Sequence, residues 1–263
     1  MLYGGIDIGS LTAEAVIVRQ GKMIAGEQIG VLPNPVDSAR EVMGKLLRKN
    51  RLDWSNLSFV ISTGYGREKV QAEGLAKENV SEISCHGFGA FCLMPEVRTI
   101  IDIGGQDAKA IKLTASGELD NFVMNDKCAA GTGHFLELMS RALGVQLSEL
   151  GPLALRSRKA VVMSARCSIF VETEVIHYLQ RGTDRADVAA GVNRSMAERV
   201  AALARRVKVE PHVMLTGGVA KNAAVRSELE KMLRVRLLDP PIDPQLIGAY
   251  GAARLAERQG GAQ

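Results

Sequence analysis

The feature that most constrains this chain is a strand–turn–strand–turn–strand pattern that occurs twice in the same order. "YGGIDIGS" leads into "TAEAVIVR", turns at "QGK" and returns as "MIAGEQIGV". Over residues 98–124 the pattern repeats as "RTIIDIGGQ", "DAKAIKL", a turn at Ser116-Gly117 and "ELDNFVM". Asp7 and Asp102 stand 95 residues apart, and so do the turn positions Gly21 and Ser116. A chain carrying one unit twice, each copy opening on Asp-x-Gly, is expected to fold as a duplicated α/β domain. Its 263 residues suffice for two medium domains, and 4% aromatics argue against an aromatic-cored β-sandwich.

The opening of each unit has its own chemistry. Glycine after a strand lets the backbone approach a phosphate closely, and Ser10 and Thr12 offer hydroxyls to it. An aspartate at the strand end suits Mg²⁺, which takes one or two carboxylates together with waters and phosphate oxygens. A third strand-Gly-Gly follows in "VMLTGGVAKN" (Val213–Asn222), and "AAVRSELEKML" after it reads as a helix. The paired "DIGS" and "DIGGQD" loops with the later "TGG" resemble the acetate kinase, sugar kinase, Hsp70 and actin superfamily. The resemblance implies two ribonuclease H-like domains, with ATP and Mg²⁺ in the interdomain cleft. It makes Asp7, Gly9, Ser10, Leu11 and Thr12 the first phosphate loop, and Asp102, Gly104, Gly105, Gln106 and Asp107 the second. Gly217 and Gly218 are then expected against the adenosine. The P-loop motif G-x-x-x-x-G-K-S/T is absent.

Kinases of that superfamily have no need of "NDKCAAGTGHF", where Cys128 precedes a glycine-threonine-glycine loop containing Gly131. Cys167 has a similar setting in "MSARCSIFVETEVIHYLQRG". After Cys167, the residues Ile169, Phe170, Val175, Ile176 and Leu179 approximate one helix face; Phe135, Leu138, Met139 and Leu143 do so after Cys128. Each thiol is therefore expected at or just before a helix N-terminus, where free N–H groups and the dipole favour thiolate. A cubane iron–sulfur cluster takes four thiolates, and two chains offer four from these positions. Spacing alone leaves two readings open, half of a shared cluster or two small buried side chains.

"TGYGR" (Thr63–Arg67), "SCHGFGA", "IDIGGQDAK", "MNDKCAAGTG", "ETEVI", "TGGVAKN" and "GAYGAA" together resemble the 2-hydroxyglutaryl-CoA dehydratase activator family, collinearly over essentially the whole chain. That family extends to activators of related 2-hydroxyacyl-CoA dehydratases and to ATPase subunits of benzoyl-CoA reductase. The resemblance implies a homodimer with one bridging 4Fe–4S cluster, held by Cys128 and Cys167 of each chain. It further implies ATP hydrolysis coupled to low-potential electron transfer to a partner iron–sulfur enzyme, with ferredoxin or flavodoxin as upstream donor. Asp7 and Asp102 would position Mg²⁺ through water, and Gln106 or Asp107 would orient the attacking water. Gln245, in "DPQLIGAYGAA", matches a family position near the nucleotide. Relatives commonly carry lysine where Glu14 stands here. Intact Gly-Gly-Gln-Asp and Asn-Asp-Lys-Cys favour the activator branch over the benzoyl-CoA reductase subunits. The alternatives are an ATPase that reduces a double-cubane protein, a cluster-free kinase and an ATP-dependent sensor.

The domain expectation is 1–96 with 245–263, and 97–244 carrying both cluster cysteines. A net charge of +4, spread along the chain, reads as a solvated basic face and not as a nucleic-acid surface. The N-terminus enters a strand directly, and no apolar run approaches membrane-spanning length, so a cytoplasmic protein is expected. Cys85 and Cys92, beside His86, are expected to pack in the core, as are Met139 and Met163; His134 is expected at the surface. Arg67 is open to a partner or a phosphate.

Overall fold

The structure, a computed structural model, describes residues 1–164 and 167–261. The chain divides into two compact units, one made of Met1–Ile100, Leu113–Asp120 and the chain from Pro240, the other of Ile101–Lys112 and Asn121–Asp239.

Each copy of the repeated pattern supplies three strands of a five-stranded sheet. The first contains β1 (Leu2–Ile8), β2 (Thr12–Arg19), β3 (Lys22–Gly30), β4 (Leu57–Gly64) and β5 (Glu78–Asn79), in the order β3-β2-β1-β4-β5. The second contains β6 (Thr99–Ile103), β7 (Ala108–Leu113), β8 (Leu119–Asn125), β9 (Val213–Thr216) and β10 (Leu237–Leu238), in the order β8-β7-β6-β9-β10. Strand for strand the two orders coincide, so the duplication read from the sequence is a duplication of topology. β1 pairs antiparallel with β2 and parallel with β4, which sets Asp7 opposite Glu14 on one side and Thr63 on the other. Central β1 is buried from Tyr3 to Ile8, whereas edge strand β3 alternates in exposure, as a strand covered on one face should.

The helices are α1 (Pro35–Lys49), α2 (Arg67–Ala72), α3 (Glu82–Leu93), α4 (Gly133–Leu143), α5 (Leu147–Ala154), α6 (Ser168–Gln180), α7 (Arg185–Arg205), α8 (Ala223–Leu233) and α9 (Ile247–Gly260). Their starts follow local chemistry. Asn34 caps α1 through the Val36 N–H with Pro35 at the first helical position, and Asn222 caps α8 through the Ala224 and Val225 N–H groups. In the second unit α4, α6, α7 and α8 share one core, where Phe135, Met139, Val171, Val175, Val192 and Val225 are buried together. In the first unit α9 lies so close to α3 that a Cβ on Gly251 would stand 1.8 Å from the Cys85 carbonyl oxygen. Gly251→Ala therefore forces two backbones apart, at a cost of about 1–3 kcal/mol. The melting temperature is expected to fall by roughly 2–4 °C for each kcal/mol in a chain of this size. Gly30→Ala, with nothing within 4 Å of the new Cβ, is the control. Equal melting of the two variants would refute the packing argument.

Candidate functional site: two matched glycine turns and a thiol loop

The two Asp-x-Gly openings are closed by the same hydrogen bond. The Gly9 N–H donates to the Thr12 carbonyl at 3.0 Å, and 95 residues on the Gly104 N–H donates to the Asp107 carbonyl at 3.0 Å. Each turn also meets a glycine that follows the neighbouring strand. Gly64, the last residue of β4, and Gly217, the first after β9, both have φ of 80°. A Cβ on Gly64 would lie 2.4 Å from Asp7 Oδ1; one on Gly217 would lie 2.3 Å from the Ile103 carbonyl and 3.0 Å from Asp102 Oδ1. Positive φ and close approach together admit glycine alone. Gly64 of "TGYGR" is thus the counterpart of Gly217 of "TGG". The sequence leaves Arg67 of this segment open to a partner or a phosphate and gives Gly64 no role. The signal for the match was the Thr-Gly pair that ends an apolar run in both copies.

Charge differs between the copies. In the first unit Asp7 and Glu14 are buried cross-strand neighbours, and His86 Nε2 stands 3.9 Å from Asp7 Oδ2. In the second, Asp102 Oδ1 accepts the Thr216 hydroxyl at 2.8 Å, while Lys109 Nζ lies 3.4 Å from Asp102 Oδ2 and 2.7 Å from Asp107 Oδ1. Lys109, from β7, is not among the site residues expected from the sequence, although it ends the motif "IDIGGQDAK" and interrupts the apolar run "AKAI". Gln106 is exposed, so of the two candidates for orienting water it is the one facing solvent. Ser10, Leu11 and Thr12 are half-buried, with the Leu11 carbonyl accepting from Val31 N–H at 3.1 Å. Gly217 is buried and Gly218 exposed. Gln245 is half-buried just before α9, its N–H on Asp243 Oδ1 at 3.0 Å. Arg67 donates to the Gly64 carbonyl at 3.2 Å.

Cys128 and Cys167 are both exposed free thiols. Cys128 sits five residues ahead of α4, in a loop held by Asn125, whose amide donates to the Cys128 carbonyl at 2.9 Å and accepts its N–H at 3.3 Å. Gly131 continues the loop at φ 102°, and the Thr132 hydroxyl closes it on the Ala129 carbonyl at 2.7 Å. The expectation of free N–H groups at this helix end needs correcting. The Gly133 N–H donates to the Gly104 carbonyl at 2.8 Å and the His134 N–H to the Gly105 carbonyl at 2.9 Å. The first turn of α4 is thus tied to the turn at Gly104 and Gly105. Cys167 is the N-cap of α6, as expected. Residues ahead of it are pinned by α6 and α7: Tyr178 Oη donates to the Val162 carbonyl, Glu174 accepts the Ser164 N–H, and Asp187 accepts the Lys159 and Arg158 N–H groups and the Ser157 hydroxyl. Those bonds, the Lys159 N–H foremost, hold the Asp187 carboxyl below the usual range. The predicted apolar face of α6 is also corrected. Val171 and Val175 are buried and Leu179 packs on the core, a spacing of four, whereas Ile169 and Phe170 are 69% and 66% exposed and Ile176 is exposed too.

The remaining thiols are built differently. Burial pushes the Cys85 thiol up to about 12, and burial also raises Cys92. Cys85 lies in the core, Met139 is buried, Met163 packs against the core, and His134 is half-exposed, 3.5 Å from Glu137. The donor set thus fits half of a cubane: two accessible soft ligands per chain, with Cys85 too deeply protonated to join them. Among the described residues no three His, Cys, Asp or Glu side chains form a metal site within one chain.

The glycine cradles and paired carboxylates suit a nucleotide, and comparison with known proteins agrees. The (R)-2-hydroxyglutaryl-CoA dehydratase activating ATPase of Acidaminococcus fermentans is 42% identical over 255 residues, covering 97% of this chain and 96% of that protein. A solved structure, the activator of the 2-hydroxyisocaproyl-CoA dehydratase from Clostridium difficile with bound ADPNP, superposes with a TM-score of 0.93 at 40% identity, covering 100% of this chain and 96% of that one. A ROK family glucokinase from Streptomyces griseus shares the fold, with a TM-score of 0.61 at 14% identity over 98% of this chain and 100% of that one. Residues 5–256 match the BadF/BadG/BcrA/BcrD ATPase family over both copies of the repeat, and the chain belongs to that family.

Proposed function

We propose that this protein is an ATP-dependent reductive activator, working as a homodimer on an iron–sulfur enzyme of the 2-hydroxyacyl-CoA dehydratase kind. The activating ATPase at 42% identity supports the partner class. One observation carries the coupling: the second phosphate loop and the thiol loop are joined through the first two N–H groups of α4. In this reading Asp7 and Asp102 orient the waters of Mg²⁺, and the glycines of the two turns let the backbone meet the phosphates. Gln106, with Asp107 behind it, positions the attacking water. Cys128 and Cys167 of each chain hold a 4Fe–4S cluster, which when bound supplies a single low-potential electron, replenished by a ferredoxin or flavodoxin. Residues 104–107 shift with the phosphates they grip; the Gly104 and Gly105 carbonyls carry α4 with them, and α4 carries the Cys128 loop. A nucleotide acts on the thiols only through unequal affinity for the two arrangements.

Anaerobically purified protein tests this. The rate at which an iron chelator strips the protein is expected to differ several-fold between a non-hydrolysable ATP analogue and ADP. Gly131→Pro should shrink that difference while nucleotide still binds. Identical chelation with ADP, analogue and no nucleotide would leave an ATPase and a metal site merely sharing a chain, and the sensor reading would replace this one.

A further inference from the structure

We propose that Lys109 is a positioning residue that makes the second phosphate loop selective for a metal–nucleotide complex over the free metal ion. The proposal rests on reading Asp102 as a metal-side carboxylate. Lys109 is only 3% exposed, on a strand otherwise committed to the core. Its ammonium reaches both carboxylates of the loop, at 2.7 Å from Asp107 Oδ1 and 3.4 Å from Asp102 Oδ2. Two buried carboxylates this close to one ammonium repel each other and need positive charge between them. The carboxylates themselves are fixed. Thr216 holds Asp102 from the other side, and Asp107 Oδ1 lies 2.8 Å from where a Cβ on Gly104 would be. Lys109 alone in this group has a flexible four-carbon stem.

Without nucleotide, the lysine supplies the balancing charge, and a divalent cation must displace it to approach Asp102. With nucleotide, phosphate oxygens give the displaced ammonium a new partner, and the cation takes the vacated side. Metal alone therefore binds poorly and metal with phosphate binds well.

Binding of Mn²⁺ to the full-length protein without nucleotide, read by the loss of its free-ion magnetic resonance signal, tests the idea. Lys109→Met is expected to bind Mn²⁺ at least about tenfold more tightly than wild type, and Mn²⁺ should raise its melting temperature more. Adding Asp107→Asn should cancel the gain and recover stability lost in the single variant. Equal nucleotide-free Mn²⁺ affinity in Lys109→Met and wild type would overturn the proposal. If Lys109→Met is insoluble, the double variant decides: soluble protein supports charge balance, and insoluble protein assigns the lysine to packing and overturns it. Asp102→Asn separates the underlying reading. Unchanged Mn-ATP binding there would overturn the metal-side role of the loop, whatever the Lys109–Asp107 coupling proves to be.

Discussion

Protein purified without oxygen is expected to lose its iron completely when either Cys128 or Cys167 is replaced by alanine, and to keep it in Cys85→Ala. Wild type should carry about two irons per chain, which is one thiolate-held cubane for each proposed homodimer. The contrast follows from exposure and proton affinity. Cys128 and Cys167 open to solvent from a loop and a helix cap, whereas burial keeps the Cys85 thiol protonated up to about 12. In the proposed homodimer, removing one ligand per chain removes two of the cluster's four thiolates, too few to hold a cubane through purification. Full iron content in Cys167→Ala would end the assignment.

The second large effect concerns the strand-end aspartates. Asp7→Asn and Asp102→Asn should each lower Mg²⁺-dependent ATP hydrolysis by at least about a hundredfold, the order expected when one preorganised charged contact is withdrawn. The amide keeps the side chain's shape, so circular dichroism and melting should change little beside the activity. In Asp102→Asn the Thr216 hydroxyl retains an oxygen acceptor and Lys109 retains Asp107, which protects the fold. Hydrolysis at wild-type rate in either variant would mean that the turns at Gly9 and Gly104 hold something other than phosphate.

The fold was legible because its signals are local and occur twice. Asp-x-Gly after an apolar run and a turn at constant offset specify three strands in each copy. The helix after "TGG" begins at Ala223 because Asn222 caps it. What escaped depends on contacts between distant segments. Asp107 lies only two residues from Lys109, but it takes the β6–β7 pairing to bring the same ammonium to Asp102 as well. Periodicity likewise cannot tell which apolar side of α6 the core covers, so Ile169 and Phe170 were grouped with Val175 although the chain buries Val171 instead. The N–H groups of Gly133 and His134 looked free because their acceptors, Gly104 and Gly105, lie some thirty residues upstream.

The duplication also has an asymmetry. In the first copy β3 ends at Gly30 and the next helix begins at Pro35, so four residues make the crossing. In the second, β8 ends at Asn125 and α4 begins at Gly133, and seven residues make it. Cys128 lives in the lengthened crossing. Closing a loop of seven residues instead of four costs only about 0.5 kcal/mol in chain entropy. The crossing that holds Cys128 is therefore an addition the fold accommodates at almost no expense, and the topology on either side of it is the same as in the copy whose crossing has no thiol.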